Sequence, residues 1–308
     1  HSNLRRQRQM CIRDRTSLDQ TVKLWDVKQR QLIATLDGFP ESPEGTWDRD
    51  AVFSPDGSLL ALAATGKAIQ VYETKTKRQL WRSDNGARSL AFAPNGKSFV
   101  TADWEDAAIR VWDARSGELL KSLQGTDATL VPDCWSQGTV AYAPDGKTFA
   151  SAVGGADQTA KFPTQLTIWD AESLTPRTRF VPHKYRIHAM AYSPDGKSLA
   201  IGGVGGTLRL VSLPDPTDKD AAAKVVASLR SHRGTIMGIA WSPDGKLLAS
   251  CSREYTKERG RIVVWQMEDS TYPAFEWNGP GVTSVQFSPD GESMVSSDQD
   301  GAVTLWQV

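Results

Sequence analysis

The pentapeptide WSPDG at residues 241–245 decides the fold, because close variants of it recur along the chain. The other copies are FSPDG (53–57), FAPNG (92–96), YAPDG (142–146), YSPDG (192–196) and FSPDG (287–291). In each copy Pro fixes φ, Asp or Asn tolerates the next turn position, and Gly accepts the left-handed conformation that follows. Apolar stretches with β character flank the turns, as in 234–241 and 246–252. Each copy therefore predicts a β-hairpin.

A third segment follows each hairpin and ends in most copies with an aromatic residue and a polar one. Its copies are TVKLWD (21–26), AIQVYE (68–73), AIRVWD (108–113), LTIWD (166–170), TLRLVS (207–212), RIVVWQ (261–266) and AVTLWQ (301–306). A weaker fourth strand follows in several units, as at 31–36, 118–123 and 225–230. From Trp25 to Trp306 the mean period is about 47 residues, which is typical of a propeller or a solenoid.

The period, the hairpin turn and the Trp-Asp ending resemble the WD-repeat (WD40) β-propeller family, whose units end in that dipeptide. The dipeptide is kept at Trp25-Asp26, Trp112-Asp113 and Trp169-Asp170. TolB-like periplasmic propellers also use WSPDG turns, but the VKLWD and IRVWD strands fit the WD-repeat family better. The resemblance implies an all-β WD40-type propeller over residues 16–308, derived from a seven-bladed parent with an incomplete first blade. The chain would then hold six to seven blades.

In that family a His, a Ser or Thr, an Asp and the Trp form a hydrogen-bonded tetrad inside a blade. Ser17, Asp19 and Trp25 fit three of these roles, and only His183 and His232 lie near the family's His position. We expect the blades to depend on apolar packing more than on the tetrad. The resemblance assigns structural roles to Ser17, Asp19, Trp25, Trp112, Trp169, Trp265 and Trp306.

The strand count predicts two outer strands of a first blade, five complete blades and three inner strands of a last blade. Two ring closures are compatible with this count. The strand at 31–36 could complete the last blade and close a six-bladed ring, leaving 21–26 unused. Alternatively, the hairpin 21–36 keeps its own pairing and the ring stays open; we favour this second geometry. Ring closure would remove exposed sheet edges.

Residues 1–15 (HSNLRRQRQMCIRDR) show no strand periodicity and are expected to lie outside the blades as a non-native or disordered segment. They could form a basic arm for nucleic acid, but MCIRDR resembles translated adapter sequence joined to a truncated gene. Removing their five Arg and one Asp from the 36 basic and 36 acidic residues leaves 31 against 35, a net charge of −4. This balance predicts no nucleic-acid partner.

The residue inventory predicts no enzyme, no metal and no cofactor. Four His show no ligand-pair spacing, the Gly-rich stretches lie where strands turn, and no GxSxG elbow is present. The three Cys (Cys11, Cys134 and Cys251) have no metal or disulfide spacing and do not decide the compartment. No apolar run approaches the roughly 20 residues that a membrane-spanning helix needs.

The repeat register predicts a partner-binding surface at the mouth of the central channel. Four residues before the aromatic of each turn motif stand Arg49, Arg88, Gly138, His188, Met237 and Thr283. Arg186 lies two places earlier in its unit, and Trp47 and Trp135 belong to lengthened loops of the same face. Arg and Trp are enriched among interface anchors. The candidate partner-binding residues are Trp47, Arg49, Arg88, Trp135, Arg186, His188 and Met237.

The sequence therefore predicts a non-catalytic scaffold that binds a protein or a peptide, with an acidic peptide as the expected class. A propeller enzyme or a small-ligand binder is the alternative, and it would need carboxylates, His or a metal converging at the channel mouth. A sensor or targeting module of a larger polypeptide is a third possibility. The sequence does not decide the oligomeric state.

Overall fold

The computed structural model describes residues 9–11, 22–26, 29, 31–36, 49–64, 68–103, 106–125, 137–154, 163–183, 185–214, 222–230, 232–254, 259–268 and 273–308. Of these residues 67% lie in β-strands, and no helix occurs among them. The prediction of an all-β chain is confirmed.

The strands form seven antiparallel sheets, which we number in chain order. The first sheet contains β1 (Gln9–Cys11), β2 (Val22–Asp26) and β3 (Gln31–Leu36). The second contains β4 (Arg49–Phe53), β5 (Leu59–Ala64), β6 (Ala68–Glu73) and β7 (Gln79–Ser83). The third contains β8 (Ser89–Phe92), β9 (Ser98–Ala102), β10 (Ala108–Asp113) and β11 (Leu119–Gln124). The fourth contains β12 (Gln137–Tyr142), β13 (Thr148–Gly154), β14 (Thr164–Asp170) and β15 (Pro176–His183).

The remaining sheets follow the same order of strands. The fifth contains β16 (Ile187–Tyr192), β17 (Ser198–Gly203), β18 (Thr207–Ser212) and β19 (Lys224–Arg230). The sixth contains β20 (Thr235–Trp241), β21 (Leu247–Glu254), β22 (Arg259–Gln266) and β23 (Pro273–Pro280). The seventh contains β24 (Val282–Phe287), β25 (Ser293–Asp298) and β26 (Val303–Gln307).

The sheets are arranged as the blades of a propeller. The first strands of the second to seventh sheets (β4, β8, β12, β16, β20 and β24) contact one another in succession, so they are the innermost strands of six blades. In the first sheet β3 pairs with β2, with Val22 opposite Leu36. These two strands therefore keep their own pairing, as the alternative favoured from the sequence requires, and the open ring itself stays a prediction.

The N-terminal segment departs from its predicted separation from the blades. The backbone of β1 pairs with β2, with Met10 opposite Trp25. Strand pairing uses backbone groups that every non-proline residue carries, so the absence of side-chain periodicity in residues 1–15 did not exclude it. The domain boundary at residue 16 stays a prediction.

Apolar side chains fill the spaces between neighbouring sheets. Along β22, Val263 and Trp265 point towards the fifth sheet, while Ile262 and Val264 point towards the seventh, as the two-residue period of a strand requires. The predicted structural residues Trp112, Trp169 and Trp265 are each no more than 3% exposed. The second to sixth sheets each pack against a neighbouring sheet on both faces. This burial explains why their strands are nearly continuous apolar runs.

In the four copies that read SPDG, the Ser and Asp close the hairpin through hydrogen bonds. In the WSPDG copy the hydroxyl of Ser242 accepts the backbone N–H of Leu247 at 2.8 Å and donates to Asp244 at 2.6 Å. Asp244 also accepts the N–H of Lys246 at 3.0 Å. The bond from Ser242 lowers the pKa of this carboxyl, with the Lys246 N–H adding to the effect. Gly245 follows at φ 74°, where a side chain would be strained.

Successive turns also contact each other around the propeller. A Cβ placed on Gly245 would lie 3.6 Å from Cδ of Pro194, which belongs to the preceding turn. The same contact links Gly96 to Pro55, Gly146 to Pro94, Gly196 to Pro144 and Gly291 to Pro243, at 3.4–3.9 Å. We call this row of contacts the turn belt.

The acidic residue after the Trp closes the next turn, between the third and fourth strands. Asp113 accepts the backbone N–H groups of Arg115 at 3.0 Å and of Ser116 at 2.8 Å, and the latter bond is the main reason that the pKa of Asp113 is lowered. Asp170 accepts the N–H groups of Glu172 and Ser173 in the same way. The Trp-Asp dipeptide is therefore explained by one buried ring and one turn-closing carboxylate.

The indole N–H groups show how much of the family's tetrad is kept. Nε1 donates to a hydroxyl of the second strand in three units, at 2.8–3.0 Å: Trp112 to Thr101, Trp169 to Ser151 and Trp306 to Ser296. Nε1 of Trp265 has no acceptor within the described part of the chain. Trp25 is partly buried, whereas Ser17 and Asp19 lie outside the described residues, so their roles stay predictions.

Candidate functional site

Two faces of the propeller follow from the up-and-down course of the strands. The upper face carries the loops that enter the first strand of each sheet and the loops between second and third strands. The lower face carries the repeated SPDG turns and the turns between third and fourth strands. The turn belt lies on the lower face, so the predicted channel-mouth residues lie on the upper face.

Three of the predicted channel-mouth residues are the extra residues of β-bulges. The register between first and second strands shifts between Ile187 and Ala189, between Ile236 and Gly238, and between Val282 and Ser284. The residues passed over are His188, Met237 and Thr283. A bulge redirects the side chain of its extra residue and is frequent near functional sites. The repeat alignment thus found equivalent positions, although it did not predict the bulges.

The central contact of the upper face joins Arg88 to His188. Nη2 of Arg88 donates to Nδ1 of His188 at 2.7 Å, although the fourth sheet stands between their sheets. At the aligned position the fourth sheet carries Gly138 and so contributes no side chain. A guanidinium can only donate, so Nδ1 of His188 is the acceptor and the imidazole is neutral, with its hydrogen on Nε2. Arg88 is 4% exposed.

Polar side chains also tie adjacent innermost strands together. The backbone N–H of Leu90 donates to Asp50 at 3.1 Å, which links β8 to β4. The N–H of Val140 donates to the hydroxyl of Ser89 at 3.4 Å, which links β12 to β8. These bonds use backbone groups at the free edges of innermost strands, and they hold the channel wall in one register.

The structure separates the predicted partner-binding residues into three groups. Arg186 and His188 are partly exposed on the upper face, whereas Arg88 and Met237 are buried, Met237 in the core between the sixth and seventh sheets. Arg49 is the first residue of β4, but the structure does not describe its side chain. Trp47 and Trp135 lie outside the described residues. The binding role of all seven residues stays a prediction.

A cleft of about 550 Å³ lies on the upper face between the sixth and seventh sheets, and the repeat alignment missed it. Its lining comes from the loop before β20, from the β21–β22 hairpin, from the end of β23 and from the β25–β26 turn. The charged residues among its lining are Arg233, Glu254, Arg259, Arg261 and Asp300. The available signal was the concentration of Arg in 253–261.

A buried His next to the cleft residue Arg233 in sequence is held in its neutral form. Nδ1 of His232 bonds the hydroxyl of Ser252 at 2.8 Å, and Nε2 bonds that of Ser250 at 2.7 Å. Burial, together with the positive charge of Arg261, lowers the pKa of His232 to about 3. This His therefore ties the loop before β20 to β21 and carries no positive charge at neutral pH.

Metal-binding clusters and membrane-spanning helices are two further features to consider. Within the described ranges, no group of three or more His, Cys, Asp or Glu side chains has an arrangement that could hold a metal ion. No helix long and apolar enough to cross a membrane occurs in the part of the chain described by the structure.

Comparisons with known proteins agree with this architecture. The family model "WD domain, G-beta repeat" matches residues 174–212, 223–266 and 272–307, and the "Anaphase-promoting complex subunit 4 WD40 domain" model matches 51–137. Among curated proteins, the chain is 30% identical over 152 residues to Protein HIR1 of Kluyveromyces lactis, covering 40% of this chain and 17% of that protein. It is 23% identical over 260 residues to the WD repeat-containing protein WRAP73 of Mus musculus, covering 82% of this chain and 51% of that protein.

A solved structure with the same fold is a chain of Kuenenia stuttgartiensis hydrazine synthase. The TM-score is 0.72 at 19% identity, over 94% of this chain and 90% of that one. At this identity the likeness concerns the fold alone, whereas the family models match the repeats themselves. With its seven sheets, its Trp-bearing third strands and these repeat matches, the chain belongs to the WD-repeat family of β-propeller proteins.

Proposed function

We propose that this propeller is a non-catalytic scaffold that binds a protein or peptide partner on its upper face. The observation that carries the proposal is the difference between the two faces. On the lower face the four SPDG turns are closed by their own Ser and Asp residues, and successive turns contact each other. The upper face instead presents a cleft lined by three Arg side chains, and Arg186 of the preceding unit is partly exposed on the same face.

Relatives of this chain support a scaffold function, but they do not indicate a particular partner. The curated relatives include proteins with WD repeats in their printed names, and this chain spans only 17% of HIR1 and 51% of WRAP73. Partners of the whole relatives therefore give no specific partner for this chain. An acidic peptide remains the expected class, because Arg186 and the Arg residues of the cleft are partly or fully exposed on this face.

The second candidate is an enzyme or a small-ligand binder that uses the channel or the cleft. It is favoured by the hydrazine synthase chain, which shares the propeller fold. Arg88 and His188 provide one charged group and one imidazole at the channel mouth, but they bond each other at 2.7 Å. A general base must reach a substrate proton, and the Nδ1 position of His188 is already occupied by Arg88.

The test compares partner capture by variants of the two faces. Wild type, an Arg49→Ala/Arg186→Ala variant and an Arg78→Ala/Arg115→Ala variant are used as bait in lysate of the source organism, with quantitative mass spectrometry as the readout. Arg78 and Arg115 are exposed on turns of the lower face, so the control removes the same charge elsewhere. Arg88 is left unchanged because it is buried. We expect loss of partners with the upper-face variant only; equal recovery by all three baits contradicts the proposal.

A further inference from the structure

We propose that the cleft between the sixth and seventh sheets is a binding site for an acidic side chain of an extended peptide, with Arg233 and Arg259 as its ligand-binding residues. This inference rests on the proposed function. It adds a specific site, whose residues differ from those predicted at the channel mouth. Those positions surround the channel, whereas the cleft lies between two blades.

The two proposed ligand-binding residues are exposed and available. Arg233 precedes β20, and Arg259 is the first residue of β22; both side chains are exposed. Within the described chain neither guanidinium forms a hydrogen bond or an ion pair with another residue. Each guanidinium offers five N–H donors in a planar fork that matches a carboxylate. The cleft therefore has unused donors at its mouth.

Arg261 has a different part in the cleft, because it is already held in place. Its Nε donates to Oδ1 of Asn278 at 3.0 Å, and its Nη1 lies 3.6 Å from Oε2 of Glu276. These partners stand on β23, and Asn278 is directly opposite Arg261 in the register. Arg261 thus adds positive charge to a fixed wall, while Arg233 and Arg259 keep their hydrogen-bonding capacity for a ligand.

The backbone of the cleft is fixed by close packing at glycines. A Cβ on Gly260 would lie 2.5 Å from the backbone N of Val282 and 2.6 Å from the carbonyl of Pro280. The start of β22 therefore meets the connection between β23 and β24 without room for a side chain. Arg259 and Arg261 flank this glycine, so the spacing between their attachment points is held by a rigid junction. A preformed site loses less ordering entropy when it binds.

The acidic residues of the lining decide which anion fits. Glu254 and Asp300 bring two negative charges against the three positive charges of Arg233, Arg259 and Arg261. The cleft is left with a net charge of +1, which one singly charged carboxylate neutralises, whereas a doubly charged phosphate would leave an excess negative charge. The volume of about 550 Å³ lies within the range of sites for small ligands. A Glu or Asp side chain with its adjacent peptide groups fits this combination.

The experiment is a selection from a random octapeptide library by mRNA display. The baits are wild type, Arg233→Ala/Arg259→Ala and the lower-face control Arg78→Ala/Arg115→Ala, each checked for an unchanged near-UV circular dichroism spectrum. We expect acidic octapeptides to be enriched on wild type and on the control, and to bind the Arg233→Ala/Arg259→Ala variant at least about tenfold more weakly. Replacing the enriched Glu or Asp by Gln or Asn should cause a similar loss.

Each other outcome overturns the cleft assignment. These outcomes are no acidic enrichment on wild type, equal binding by the Arg233→Ala/Arg259→Ala variant, or an equal loss in the lower-face control, which would indicate general charge attraction. Displacement of the octapeptides by 1 mM inorganic phosphate but not by 1 mM acetate would assign the site to phosphate instead. The capture experiment on Arg49 and Arg186 is independent of these results, so the scaffold proposal can stand when the cleft assignment fails.

Discussion

Arg88 and His188 are 100 residues apart in sequence, yet Nη2 of the first lies 2.7 Å from Nδ1 of the second across the mouth of the channel. The bond links the third sheet to the fifth and bypasses the fourth. A charged donor in a largely buried position makes a stronger hydrogen bond than a neutral pair in water. This bond therefore connects two blades that are not neighbours in the ring.

A double-mutant cycle should measure the coupling energy of the hydrogen bond between Arg88 and His188. We expect Arg88→Met and His188→Leu each to destabilise the protein in urea unfolding, with a coupling energy of about 1.5–3 kcal/mol, because the bond involves a charged group. Arg186→Met with His188→Leu is the control pair. Effects of Arg88→Met and His188→Leu that add to within about 0.5 kcal/mol would show that the bond contributes nothing measurable.

The stability contributed by His232 should depend on pH. Its pKa is lowered from the ordinary 6.5 to about 3, so the unfolded chain takes up a proton near pH 6.5 while the folded chain resists it. The contribution of the neutral ring is fully present above pH 6.5 and is lost as the pH falls towards 3. Well below 6.5 the loss approaches about 1.4 kcal/mol for each pH unit. We expect the stability difference between wild type and His232→Gln to shrink by this amount between pH 5.5 and 4.5.

Ser250→Ala serves as the control for His232. It removes one hydrogen bond to the ring but keeps the titrating group, so its stability should follow the same pH slope as wild type. A wild type and a His232→Gln variant with parallel pH profiles from 7 to 4.5 would mean that His232 is not held neutral.

Trp169 and Trp265 form a matched pair for the tetrad hydrogen bond. The sequence predicted both as core residues, and their exposures of 2% and 3% confirm this. Replacement of either by Ala should cost about 3–5 kcal/mol. Replacement by Phe should cost about 1 kcal/mol more at 169 than at 265, because only Trp169 donates to a hydroxyl, that of Ser151 at 2.8 Å. Equal costs for the two Phe variants in urea unfolding would contradict a role for that bond.

The turns allow a stability gain as well as a loss. In the YSPDG copy the hydroxyl of Ser193 accepts the N–H of Ser198 at 2.9 Å and donates to Asp195 at 2.6 Å. The YAPDG copy has Ala143 at this position and lacks the hydroxyl. We expect Ser193→Ala to lose about 1 kcal/mol and Ala143→Ser to gain about 0.5–1.5 kcal/mol in the free energy of unfolding. A loss in both variants would show that the two turns differ in more than the hydroxyl.

The sequence predicted the hairpins and third strands because their determinants are local. Pro, Asp and Gly specify a turn within five residues, and the apolar runs beside it specify two strands. The aligned position of His188 was also predictable, since a repeat brings equivalent residues to one ring. Its bulge and its bond to Arg88 were not, because they depend on how three separate sheets are placed around the channel.

The cleft and the strand β1 were missed for related reasons. The cleft is lined by loops from two blades, and its shape depends on the packing at Gly260, which no local pattern indicates. The pairing of Met10 opposite Trp25 depends on backbone groups alone. Sequence patterns indicate which side chains alternate along a strand. They do not predict features that depend on backbone contacts or on distances between blades.

The turn belt has a consequence for how such a chain can change its number of repeats. At the five junctions between the second and seventh sheets the same two elements meet on the lower face, the Gly of one turn and the Pro of the turn before it, with nearly the same spacing. A unit that carries both elements fits against any other such unit, so duplicating or deleting one leaves a compatible joint behind. Side chains on the upper face can then diverge without altering this joint.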